Sequence, residues 1–228
     1  MKKTTFVALM ILSSQCLAGS LNDSLQDIES EWAIIHYSTP ENKQEIAYNK
    51  LYTKVTYLAK EYPNKAEPLI WEAIIKACNA DHINAVKALE NIHDAHDLLQ
   101  EAIKRDPEAL GGSAYVTLGA LYYMTPLWPI GFGDKNIAKY MFENAIKVNP
   151  EGLESNYFYA EFLQSLNQFN EAEKYYKKAI SIPSRSEQIF ADDQLRALAR
   201  QGLHNTEMKK LDDSNSVFTS FVKKEILN

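Results

Sequence analysis

Residues 156–183 read NYFYAEFLQSLNQFNEAEKYYKKAISIP, and their spacing decides the fold. Small residues fall at Ala160, Ala172 and Ala179, twelve and then seven apart, with Tyr176 three before the last. Small side chains at such intervals mark where two antiparallel helices approach most closely, and Pro183 ends the second of them. Asn170 with Glu173 three residues on predicts a capping box at the start of that second helix.

The pattern recurs upstream. Ala138, Phe142, Ala145 and Pro150 stand at relative positions 0, 4, 7 and 12, and Ala95, Leu99, Ala102 and Pro107 repeat the same series. Tyr115, Leu118, Gly119 and Tyr122 supply the helix preceding the first of these copies. The intervals are those of a tetratricopeptide repeat, a helical hairpin that buries its apolar face only by stacking on its neighbours. Trp71, Ile74, Ile75 and Cys78 form a degenerate first helix further back. Residues 22–63 read as one more divergent pair, with Trp32 and Ile35 in one helix and Leu51, Val55 and Leu58 in the other. The amphipathic run EQIFADDQLRALARQGL after Pro183 predicts a closing helix. The expected fold is therefore all-α: an α-solenoid of about four helical hairpins plus a C-terminal capping helix, filling residues 19–228 as one domain. Tyr123, Tyr157, Glu161 and Gln164 are expected on its concave face, with Glu161 exposed.

Gly119 and Ala138 are nineteen apart where the repeat has twelve, and the seven extra residues fall in LWPIGFGD, residues 127–134. Pro126 and Pro129 stop the first helix, Gly131 and Gly133 permit φ > 0, and Asp134 is placed to cap the helix beginning at Lys135. An enlarged turn carrying Trp128 and Phe132 is either a plug under a neighbouring repeat or a contact element at the edge of the concave face.

The chain has 228 residues, 24 Lys+Arg against 30 Asp+Glu, and 46% hydrophobic residues, enough for a sizeable core. Its acidic balance argues against general binding to nucleic acid or to an anionic membrane. Residues 1–18 read as a secretory signal peptide: Lys2 and Lys3, a short apolar run at 6–12, then a small residue at Ala18. Cleavage there predicts a periplasmic protein that does not insert in the membrane and whose charge is 22 − 30 = −8. Gln15 before Cys16 disfavours lipidation. Cys78 then stands alone, which rules out an intrachain disulfide, and it is expected to be buried as a small hydrophobe.

Residues 115–163 carry a narrower resemblance. Trp128, Pro129, Gly131, Phe132, Gly133 and Asp134, followed by Asn156, Tyr157, Phe158 and Tyr159, resemble the T component associated with tripartite ATP-independent periplasmic (TRAP) transporters. The chain departs from that family at Ala160 and Glu161, where Gly and Asp are expected. The resemblance implies a periplasmic helical-repeat protein that binds the transporter's solute-binding subunit and shares in delivering an apolar or carboxylate ligand. Asn156 joins the candidate binding residues on this ground.

The remaining motifs carry little chemistry. His93 and His96 lie three apart on one predicted helix beside Asp94 and Asp97, with His82 a turn away, but no third metal ligand is indicated. There is no phosphate-binding glycine loop, no HExxH and no Ser/His/Asp arrangement. Neither catalytic residues nor a cofactor are therefore expected. Two functions stay open: a scaffold that binds a protein partner through its concave face, and a carrier that holds an apolar ligand between helices. An apolar pocket beneath Trp128 favours the carrier; a shallow polar groove favours the scaffold.

Overall fold

The computed structural model describes the backbone over residues 5–226 and the side chains over residues 21–210. Among the described residues the protein is helical, with nine α-helices. These are α1 Thr5–Ser38, α2 Glu41–Glu61, α3 Glu67–Asn79, α4 Ala85–Arg105, α5 Ser113–Met124, α6 Lys135–Val148, α7 Leu153–Ser165, α8 Phe169–Ser181 and α9 Ile189–Ile226. Residues 5–18, within the segment that the sequence analysis reads as a signal peptide, lie in α1, and their side chains lie outside the described residues. Among the described residues no helix is long and apolar enough to cross a membrane.

Local chemistry sets the helix ends. α4, α6 and α8 each stop two residues before a proline, at Pro107, Pro150 and Pro183, because the residue preceding a proline is pushed out of helical geometry. Asn84 caps α4 by accepting from the Lys87 N–H at 3.1 Å. The capping box expected at Asn170 and Glu173 does not form. α8 begins two residues earlier, behind Gln168, whose side chain makes no cap bond. Glu173 instead pairs with Lys177 and Lys210, each at 2.5 Å, and their ammonium groups hold its carboxyl down at about 2.

The chain divides into two compact units. The first runs to Leu110 and takes in Ser186–Ala191. Within it α1 packs on α2, α2 on α3, and α3 on α4. Leu25, Ile28, Ile35, Tyr48, Leu51, Val55, Trp71 and Ile75 form its core. Removing each large apolar side chain from water contributes roughly 1.5–3 kcal/mol. Cys78 is half-buried against this core, and burial pushes its thiol up to about 11.

The second unit comprises Gly111–Arg185 and continues from Asp192. Here α5 packs on α6, α6 on α7, α7 on α8, and α5 also on α7. The small-residue columns lie at these crossings: Ala138, Ala145, Ala160, Ala172 and Ala179 are fully buried. A Cβ added to Gly119 would stand 3.0 Å from the Phe142 ring, and one added to Gly202 would stand 2.5 Å from Tyr176. Glycine therefore lets α5 close on α6 and α9 close on α8.

Candidate functional site: the α5–α6 turn and the tyrosine face

α5 ends where Pro126 removes the next backbone donor, and the chain then loops out before α6. The Gly133 N–H donates to the Pro126 carbonyl at 3.0 Å, and the Asp134 N–H donates to the Tyr122 carbonyl at 2.9 Å. Leu127 and Gly133 form an isolated β-bridge, and the Trp128–Pro129 peptide is cis. Asp134 caps α6 as expected, its Oδ1 accepting from the N–H groups of Asn136 (2.7 Å) and Ile137 (3.1 Å). The turn glycines are required for a different reason from the one their sequence suggests. Neither has a positive φ. A Cβ on Gly133 would lie 2.0 Å from the Thr125 carbonyl oxygen, and one on Gly131 would lie 2.6 Å from that of Pro126. Close backbone approach selects glycine here.

The two aromatics of the turn part company. Phe132 is half-buried, edge-on to Tyr122 with centroids 5.3 Å apart. Trp128 is 86% exposed, in company with Met124 (74%), Leu127 (67%) and Ile130 (67%). Four large apolar side chains thus stand in water on a turn held by backbone hydrogen bonds. Exposed apolar groups gathered in this way usually mark a contact surface.

On the neighbouring helices, Tyr123 of α5 meets Phe162 of α7 edge-on at 5.6 Å, and Tyr157 of α7 lies 6.3 Å from Tyr176 of α8. Tyr176 is fully buried, and its hydroxyl donates to Glu161. The Gln164 Oε1 stands 3.1 Å from the same hydroxyl and accepts from Thr206 of α9 at 2.6 Å. Burial and then the Glu161 carboxylate push the Tyr176 phenol far above the usual tyrosine range, with smaller contributions from Tyr157 and Tyr123. Glu161 is therefore not the freely exposed residue that its helix position suggests; it is half-buried and tied to the core. Four of the candidate residues, Tyr123, Tyr157, Glu161 and Gln164, thus converge on one phenol.

Asn156 has a different place. It is buried, and its Nδ2 donates to the carbonyls of Pro150 (3.0 Å) and Gly152 (2.7 Å), strapping the loop between α6 and α7. Sequence reasoning read Tyr176 only as part of the repeat spacing and gave no signal for Thr206. A tyrosine in an otherwise apolar column was the available hint, because a buried hydroxyl needs a partner.

An open groove of about 330 Å³ lies among α6, α7 and α8, walled by Ile146, Pro150 and Tyr175. Its rim is ionic, with Lys178–Glu151 at 2.5 Å and Lys174–Glu171 at 2.6 Å, and Trp128 is not among its walls. On α4, His96 bonds Asp97 at 2.9 Å and Gln100 at 3.1 Å, while Asp94 pairs with Lys76 at 2.8 Å. Among the described residues no group of three or more His, Cys, Asp or Glu is placed to hold a metal ion. No protein-family model matches the chain, and no curated protein matches it. What the turn and the tyrosine face can do chemically is recognition: apolar contact from the turn, and hydrogen bonding and charge from Glu161 and Gln164.

Proposed function

We propose that this protein is an exported, periplasmic interaction module of tetratricopeptide-type α-solenoid repeats, and that it engages a protein partner through the α5–α6 turn and the tyrosine face. The observation that carries this reading is Trp128, 86% exposed on a turn held by several backbone hydrogen bonds. Tryptophans so placed are frequent energetic centres of protein interfaces. A carrier would use Trp128 as the wall of an enclosed cavity, and a side chain so open to water walls none. The resemblance of residues 115–163 to the TRAP T component makes the solute-binding subunit of such a transporter the first partner to try.

Affinity capture from periplasmic extract, with the chain from Gly19 as bait, tests the reading. Direct titration of the captured protein should then give a dissociation constant that Trp128→Ser weakens at least ten-fold, the loss of a strong interface anchor. Equal binding by both forms would overturn the assignment of this surface. Mass spectrometry of the exported chain should find Gly19 at its N-terminus; retained residues 1–18 would overturn the export reading.

A further inference from the structure

Two glutamates of the second unit differ in one respect. Glu173 on α8 has two lysines within 2.5 Å. Glu161 on α7 is also partly withdrawn from water, yet among the described residues its bonded partner is the neutral Tyr176 phenol. Half-buried carboxylates ordinarily acquire a cation or several donors, because partial desolvation raises the cost of an unmatched charge. Here one oxygen, Oε1, accepts the hydrogen bond of the phenol. That bond fixes the carboxylate from beneath and leaves Oε2 for a guest.

The surroundings suit a particular guest. Tyr157 lies one turn before Glu161, so the two side chains share a face of α7. Tyr123 approaches from α5, the Tyr157 ring lies 6.3 Å from that of Tyr176, and the phenol groups of Tyr123 and Tyr157 both act on the Tyr176 hydroxyl. Tyrosine faces carry negative potential and attract organic cations. A divalent metal ion fits poorly, since it needs about six oxygen ligands and one carboxylate offers two at most. A primary ammonium or guanidinium needs only one carboxylate and an aromatic wall.

We propose that Glu161, oriented by Tyr176 and flanked by Tyr123 and Tyr157, is a recognition site for an organic cation, supplied by a lysine or arginine side chain of the protein partner. The source rests on the interaction reading above; the site's chemistry does not.

The test uses the chain from residue 19 and three probes followed by NMR titration: N-acetyl-lysine methylamide, n-butylammonium, and a short lysine-containing peptide. N-acetyl-norleucine methylamide is the uncharged control. The lysine probe should bind and the control should not. Glu161→Gln should weaken binding of the cations about ten-fold or more while the melting temperature holds, because the Gln oxygen still accepts from Tyr176. Tyr157→Leu should weaken it roughly two- to five-fold. Should Glu161→Gln fail to fold, the Tyr157 variant and a loss of affinity with added salt decide the matter in its place. Absent binding of the cations, or binding indifferent to Glu161→Gln in a folded variant, overturns the site. Tighter binding of the peptide than of n-butylammonium supports a polypeptide source; the reverse order overturns that source. A partner lost with Trp128→Ser but indifferent to Glu161→Gln overturns this inference and leaves the interaction reading standing. Cations bound through Glu161 by a chain that captures no partner would keep the cation site and overturn both the interaction reading and the partner as its source.

Discussion

Arg185 holds Asp192 with three donors: its backbone N–H at 2.7 Å, Nη2 at 2.6 Å and Nε at 3.2 Å. The Asp192 side chain is 3% exposed, and the Arg185 Nη2 also reaches Glu154 at 3.0 Å. The contact ties the middle of the α8–α9 loop to the first turn of α9, where a carboxylate also suits the helix dipole. Asp192→Ala removes the acceptor of all three donors and is expected to cost about 1–3 kcal/mol. Urea denaturation checks this, and an unchanged midpoint would show that the contact contributes nothing net.

The small-residue columns make a second expectation. Ala145 and Ala179 are fully buried where α6 and α8 meet their neighbours. Ala145→Leu and Ala179→Leu should each overpack a crossing and cost about 1–3 kcal/mol. Thermal melts decide it, and two unshifted transitions would mean that these crossings have slack.

Acid should weaken the first unit through His36. Its imidazole stacks on Trp32 at 5.0 Å, and its Nδ1 lies 3.1 Å from the Tyr48 hydroxyl. Tyr37 stands edge-on to the ring, while His82 and Asp81 face it from the turn after α3. Burial, then the charge of His82, lowers its pKa below 6.5, against an opposing pull from Asp81. The unfolded chain therefore binds the proton first. Stability is complete above pH about 6.5 and is lost as the pH falls through the folded value. Denaturation midpoints at neutral and mildly acid pH should diverge more in wild type than in His36→Gln. Equal slopes for the two proteins would remove His36 from the account.

Trp128→Ser and Gly133→Ala should behave in opposite ways although they sit in one turn. With Trp128 largely in water, its replacement should move stability by no more than about 0.5 kcal/mol. Gly133→Ala drives a Cβ onto the Thr125 carbonyl and must open the turn. Circular dichroism melts and Trp128 emission should register the glycine change and leave the melt of the tryptophan variant in place. A glycine variant with unaltered emission would show that the turn yields without cost.

Much of this was written in the sequence, for local reasons. Proline punctuation after α4, α6 and α8, and the fully buried Ala95, Ala138 and Ala172, follow from repeat spacing and helix geometry alone. So does the Asp134 cap, which needs only the residues two and three after it. The reading failed where partners come from distant helices. Nothing near Glu161 announces that a phenol fifteen residues on will reach it, or that Thr206 will reach Gln164. Glu173 was read as a local cap, and Lys210 on α9 gave it a better partner. Asn156 was expected at the binding surface on a resemblance alone, while its side chain is claimed by two backbone carbonyls.

The apolar turn also governs how the protein behaves in concentrated solution. Met124, Leu127, Trp128 and Ile130 form an adhesive spot on a molecule of formal net charge −6 and isoelectric point near 5.4. At neutral pH mutual repulsion keeps such spots apart. Near pH 5.4, or in strong salt, that repulsion fades, and the colloid should cluster first through this turn. Handling conditions and the solubility limit of the purified protein are thus set by the same few side chains that stand ready for a partner.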